Sequence, residues 1–212
     1  MASKVVDLTL TYTSGLAGFD ISPAKTMDKE GWNASVLTFY SHSGTHMDAP
    51  IHFNASNETI DQIPVSQFIG KAWVIDVRHI GNKGLITYLD ISAQLTDFQQ
   101  GDSLILWTDW SNYINSDAYR NDLPRVSEEL ARWCVQNKVK MLAVEPPSIA
   151  DVNNLEEVTR IHRILLGNVI IIEGLTNIGE ISSRWVELIA LPLKIAGGDG
   201  SPTRVIAIEK EA

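Results

Sequence analysis

The sequence predicts an α/β fold built on a mixed β-sheet, and three observations predict it. Short, nearly continuous apolar runs recur along the chain, amphipathic helical stretches fall between them, and both ends are rich in strand-forming residues. Strands alternating with helices imply helices layered on a sheet. Strand-rich ends add antiparallel partners to what would otherwise be a parallel sheet. The 212 residues contain no Pro-, Gly- or Ser-rich linker, no charge block and no internal repeat. Residues 1–212 are therefore expected to form a single domain.

Taken in order, Val5–Leu10 is a short apolar strand candidate, and Ser35–Tyr40 alternates as a half-buried strand does. Ala72–Val77, Ser103–Trp107, Lys140–Glu145 and Val169–Glu173 are continuous apolar runs, the pattern of strands buried on both faces. Thr87–Phe98 is a weak helix candidate. Ser127–Lys138 is a stronger one: Ser127 is a good N-cap, and Glu128 and Glu129 sit where the helix dipole favours negative charge. Asn153–Asn168 has the clearest helical period, with Leu155, Val158, Ile161, Leu165 and Leu166 at three- and four-residue spacings. Asn153 with Glu156 resembles a capping box, and Gly167–Asn168 a stop signal. Val186–Ile195 and Thr203–Glu209 are expected to pair as a hairpin around "AGGDGSP".

Composition excludes several function classes. The formal net charge is −9 and the basic residues are scattered, so a phosphate backbone would be repelled and no nucleic-acid binding is expected. Cys134 is the only cysteine, which rules out an intrachain disulfide and a cysteine-based zinc site. "MASKVVDLTLTY" has no apolar core of signal-peptide type, and no run approaches the ~20 apolar residues that span a bilayer. A cytoplasmic protein without membrane contact is the expectation. "GGDGSPTR" (197–204) has glycines but no Gly-Lys-Ser/Thr and reads as a turn. Ser43 lies in no nucleophile-elbow pattern.

The chemistry concentrates in "SHSGTHMDAPIHF" (Ser41–Phe53). Of five histidines in the chain, His42, His46 and His52 fall here, with Asp48 among them. Each of these side chains is a potential metal ligand or proton carrier. Gly44, Thr45 and Pro50 oppose a helix. In a straight strand all four would share one face, but His42 and His46 would stand about 13 Å apart at about 3.3 Å per residue. Ligands of one ion lie only a few ångströms from each other, so the chain must turn, and Ser43–Gly44 is where it can. Pro50 then redirects the chain and aims His52 back.

Ligands from elsewhere are also needed. His162 lies near the apolar face of the long helix, and Glu173 ends a buried strand, where an unpaired carboxylate is costly. One helix-to-strand turn joins them, so both can reach the same sheet edge. Asp109 and Glu145 also stand near strand ends and read as loop caps or surface ion pairs. Cys134 reads as helix packing.

"HSGTHMDAPIHF" resembles the signature of the cyclase family of metal-dependent hydrolases, which includes bacterial kynurenine formamidase (arylformamidase) and isatin hydrolase. Thr59–Val77, His162–Ile178 and Leu191–Ile208 are similar to further family segments, so the likeness covers nearly the whole chain. The resemblance implies a swivelling β/β/α fold and a homodimer or larger homo-oligomer with the site near the subunit contact. It implies His42, His46 and Asp48 as metal ligands, His162 and Glu173 as distal ligands, and His52 as general acid/base. The segment Gly15–Trp32 departs from the Pro- and Gly-rich stretch that kynurenine formamidases carry there.

The expected activity is hydrolysis of the C–N bond of a small formamide or cyclic amide by water activated on a divalent ion, zinc or manganese, one or two per subunit. His52 would move the proton. Phe19, Trp32 and Phe53 are candidate walls for a small, aromatic substrate; Trp107 reads as core. The alternatives are a lactone or cyclic-imide hydrolase, and a metal or small-molecule binding protein without turnover.

Overall fold

Each long apolar run becomes a central strand, because only a sheet covered on both faces can bury such a run. The computed structural model describes residues 3–209. In chain order the first elements are β1 (Lys4–Asp7), β2 (Phe19–Lys25), α1 (Met27–Glu30), β3 (Ala34–Phe39), β4 (His46–Asp48), β5 (Ile69–Asp76), β6 (Leu85–Ile86), α2 (Tyr88–Ser92) and β7 (Ser103–Trp107). Then come α3 (Ala118–Asn121), β8 (Arg125–Val126), α4 (Glu128–Gln136), β9 (Met141–Val144), α5 (Leu155–Leu165), β10 (Ile170–Glu173), β11 (Trp185–Pro192) and β12 (Gly200–Glu209). Among the described residues, no helix is long and apolar enough to cross a membrane.

The main sheet runs β1-β12-β11-β5-β7-β9-β10-β4. Its centre, β5-β7-β9-β10, is parallel, and the remaining pairs are antiparallel, so the expected α/β class with a mixed sheet is what is observed. β4 closes the sheet on itself by pairing with β10 on one side and with the start of β12 on the other. Alternate residues along the strands feed two cores. Leu104, Leu106, Leu142 and Val144 face α4 and α5, where Leu130, Ala131, Cys134, Ile161 and Leu165 complete the packing. Ile105, Met141, Ala143 and Ile172 face the opposite side, against Met47, Leu188, Val205 and Ala207. Burying a side chain of this size contributes about 1.5–3 kcal/mol.

The helix ends are set by hydrogen bonds the sequence only partly specifies. Ser127 caps α4 as expected, its hydroxyl accepting from Leu130 N at 3.0 Å. The capping box expected of Asn153 with Glu156 is not the one formed: Asn154 caps α5, accepting from Glu157 N at 3.1 Å. Asn153 is occupied elsewhere, accepting from Arg120 and donating to Asn121. Leu155, expected on the apolar face, is 78% exposed in the first turn. The Thr87–Phe98 candidate shortens to α2, held by a Thr87–Asp90 capping box. β1 stops at Asp7, so the expected Val5–Leu10 strand ends early and continues only as a bridge from Thr9 to Leu175. The hairpin forms as β11 and β12. The expected Ser35–Tyr40 strand forms as β3, but nearly all of it is exposed and not half-buried, and its partner β2 was not foreseen, since Pro23 interrupts that run.

Candidate metal centre and its cavity

The histidine-rich segment turns where its small residue permits. Gly44 sits at φ +60°, a conformation side chains disfavour. The Tyr12 hydroxyl donates to Ser43 O at 2.5 Å, and Thr45 Oγ1 donates to Gly174 O at 2.6 Å while accepting from Leu10 N at 2.8 Å. These bonds pin both sides of the turn. β4 then carries His46 opposite Glu173 of β10 and opposite Pro202 of β12, with Asp48 opposite Gly200. Pro50 opens a 3-10 helix, Pro50–Phe53, that brings His52 back beside His42, the two rings stacked at 3.8 Å.

Side chains from β4, α5 and β10 converge. His46 Nε2 lies 3.2 Å from Glu173 Oε2 and 3.7 Å from Asp48 Oδ1. His162 Nε2 lies 3.5 Å from both Asp48 Oδ2 and Glu173 Oε1. His42 Nδ1 lies 2.9 Å from Asp48 Oδ1. Ligand atoms of His46, Asp48 and Glu173 fall within 4.8 Å of one another, and so do those of His42, Asp48 and His52. The structure thus brings together all five sequence-derived ligand candidates and His52, with Asp48 common to both groupings. His52 stands close enough to ligate as well as to shuttle protons.

Orientation decides what this cluster can bind. His46 Nδ1 is 3.0 Å from Gly44 O and His162 Nδ1 is 2.7 Å from Val158 O. A carbonyl only accepts, so each Nδ1 carries a hydrogen, and each Nε2 is the atom left facing the carboxylates, where it can hold a proton or give its lone pair to a cation. Lone pairs facing carboxylates in a buried site need a proton or a cation between them. Asp48 Oδ2 and His42 Nε2 are buried and make no well-formed hydrogen bond, although Asp199 Oδ2 approaches His42 Nε2 to 3.4 Å. Imidazole nitrogens with carboxylate oxygens suit zinc-like divalent ions. On chemistry and on unsatisfied atoms, the residues fit a divalent cation.

The titration of these groups follows from burial against charge. Burial pushes the imidazoles of His46 and His162 down, but the Glu173 carboxylate beside each outweighs it and holds both above their ordinary value. Burial likewise opposes His42, and Asp48 reverses it. Burial would raise Glu173, yet His162 and His46 hold its carboxyl below the usual range. Of the four histidines in the cluster, His52 alone ends lowered, with burial the largest cause. Glu173 also accepts from Ile149 N at 2.7 Å, which fixes its second oxygen.

A cavity of about 800 Å³ opens over the cluster. Phe53 lines it and stacks on His162 at 4.3 Å. Phe19 stands behind the lining, packed on Tyr12 and Phe39 at 5.2 and 5.1 Å. Trp32 is not among the lining residues: it is 55% exposed just beyond Gly31, the left-handed residue that ends α1. The chain carries it into solvent on the β2–β3 connection. Trp107 also lies outside, with the Arg78 guanidinium 3.7 Å over its ring. Glu145 is a buried loop cap and no surface ion pair. Its Oε2 accepts from Thr108 N at 2.7 Å and from Trp110 N at 3.3 Å, and Oε1 accepts from Ser111 Oγ at 2.9 Å. Asp109 accepts from Trp107 Nε1 at 2.6 Å and faces Arg78 at 3.8 Å. Asp199, whose Oδ2 also lies 4.0 Å from His52 Nδ1, escaped the sequence reading because "GGDGSP" looks like any turn. A carboxylate among turn glycines beside a ligand-pairing strand is the signal that would have found it.

Known proteins resemble this chain in sequence and in fold. The Cyclase family model, described as "Putative cyclase", matches residues 6–151. A kynurenine formamidase from Erythrobacter litoralis is 28% identical over 177 residues, covering 84% of this chain and 77% of its own. Isatin hydrolase A from Labrenzia aggregata, solved with benzyl benzoate, superposes with a TM-score of 0.88 at 25% identity, covering 99% of this chain and 94% of that one. A potential metal-dependent hydrolase with cyclase activity superposes with a TM-score of 0.79 at 26% identity over 100% of both chains.

Proposed function

The chain belongs to the Cyclase family, and from that premise we propose that it is a divalent-metal-dependent hydrolase cleaving the C–N bond of a small formamide or cyclic amide. The observation that carries this reading is the convergence of His42, His46, Asp48, His162 and Glu173, with lone pairs and an unpaired carboxylate oxygen facing inward, beneath an open cavity. The relatives named kynurenine formamidase and isatin hydrolase support the bond type.

In this reading His42, His46 and Asp48 hold the ion, and His162 and Glu173 complete a second or shared position. An ion held there supplies Lewis-acid polarisation of the scissile carbonyl and brings the pKa of bound water from about 15.7 toward about 7. Gly44 O and Val158 O fix the tautomers of His46 and His162, so both Nε2 atoms stay available. His52, lowered by burial and so neutral at neutral pH, takes the proton of the attacking water and returns it to the leaving nitrogen. Such a transfer contributes roughly 10²–10⁴-fold. Water adds to the carbonyl carbon, the C–N bond breaks, and the products are a carboxylic acid and an amine, or an amino acid when the amide is cyclic. Phe53 supplies an aromatic wall.

The ion is read as zinc or manganese, one or two per subunit, and the protein as a cytoplasmic homodimer or larger homo-oligomer. A panel of N-formyl anilines, isatin and aryl lactones, assayed with zinc- and manganese-loaded protein, tests the reaction. Formate or isatinate release dependent on added metal is expected. Turnover of lactones alone would favour the ester-cleaving alternative, and no turnover of any of them a binding protein.

A further inference from the structure

The chain is acid-rich, with 26 Asp and Glu against 17 Lys and Arg. Most arginines accordingly find a carboxylate: Arg78, Arg125, Arg132, Arg160 and Arg204 all do. Arg120 does not. Among the described residues no carboxylate pairs with it, and its hydrogen-bond partner is neutral: Nη1 donates to Asn153 Oδ1 at 3.1 Å, and Asn153 in turn donates to Asn121 at 3.1 Å. Of the described residues lining the cavity over the histidine cluster, Arg120 is the only lysine or arginine. Its neighbour Tyr119 also lines the cavity but has its hydroxyl committed, donating to Glu145 O at 3.0 Å. The guanidinium is thus held by one neutral amide, has no paired carboxylate, and stands exposed at the wall of the cavity.

We propose that Arg120 is a specificity-determining residue that receives a carboxylate carried by the substrate, away from the scissile amide. A guanidinium presents paired donors that match a carboxylate, and a neutral group gains far less from it. Apolar lining residues Leu10, Ile114 and Val152, with Phe53, take the ring between the two polar ends. The substrate class narrows to an anionic aryl formamide, in preference to a neutral cyclic amide. This inference rests on the hydrolase reading above, and it is tested so that the two can fail separately.

The probes are 3-(2-formamidophenyl)propanoate and its primary amide, with formate release as the readout from metal-loaded protein. The wild type prefers the carboxylate. In Arg120→Met the ratio of kcat/KM for carboxylate over amide falls roughly 10- to 100-fold, chiefly through KM, and Arg120→Lys recovers part of it. A ratio unchanged in Arg120→Met overturns the assignment, as does an equal loss on both compounds. If the wild type releases no formate from either compound, the formamide-cleaving form of the hydrolase reading fails, and calorimetric binding of 3-phenylpropanoate against 3-phenylpropanamide decides Arg120. A carboxylate preference lost in Arg120→Met supports it, and the same preference in both proteins overturns it. Melting curves of both variants establish that the fold is intact.

Discussion

At the scale of single residues, the centre depends on small groups as much as on ligands. Gly200 lies opposite Asp48, and a Cβ there would come within 2.5 Å of His42 Cε1 and 2.8 Å of Met47 O. Neither can yield freely, since one is a ring in the ligand cluster and the other is backbone. Gly200→Ala should therefore displace His42 and weaken metal affinity roughly 10- to 100-fold without removing a ligand atom. Competition against a chromophoric chelator measures this; unaltered affinity would mean that His42 does not bind the ion. The residue types were legible in the sequence, and so was the need for a turn at Gly44, because same-face ligands about 13 Å apart along a strand cannot share an ion. The position of Trp32 was not legible. An aromatic residue looks the same in a sequence whether the chain folds it inward or carries it out on a ribbon. Asp199 was hidden for the opposite reason: it becomes a neighbour of His42 and His52 only once β12 has paired with β4.

At the scale of elements, the continuous apolar strands and the Ser127 cap could be read directly, while the cap of α5 and the strand β2 could not. Asn153 and Asn154 are chemically equal candidates to cap α5. The choice falls to Asn154 because Asn153 is engaged by Arg120 and Asn121, contacts that no local pattern reveals. Asn154→Ala should cost about 1 kcal/mol, seen as a lower urea midpoint at constant slope, and Asn153→Ala should cost less. Equal costs would assign the cap wrongly. The end of β12 offers a pH test. Burial alone would raise Glu209, but hydrogen bonds from Ser182 N, Ser182 Oγ and Ser183 Oγ, with Lys4 nearby, bring it down to about 2. A carboxyl lowered in the folded state adds stability that is complete above its unfolded pKa, near 4.5, and is lost as pH falls toward about 2. Glu209→Gln should lose about 1–3 kcal/mol at pH 7 and show a flatter acid limb between those values. Parallel acid limbs for the two proteins would contradict this.

At the scale of the whole molecule, the sheet exists in its closed form because β4 links β10 to β12, and β4 is also the strand that carries His46 and Asp48. An ion gripped by β4, α5 and β10 would staple segments separated by more than a hundred residues. At a free concentration a thousandfold above Kd it would add about 4 kcal/mol, or roughly 10 °C in melting temperature, which a chelator should abolish. The central claim divides the labour inside this staple: His46 holds the ion and His52 moves the proton. Elemental analysis of His46→Ala and His52→Ala, purified alongside the wild type and assayed for formate release, tests it most directly. The account predicts that the wild type carries metal and turns over, that His46→Ala loses both, and that His52→Ala keeps its metal while losing activity. Equal metal loss in the two variants, or an active His46→Ala protein without metal, would contradict it.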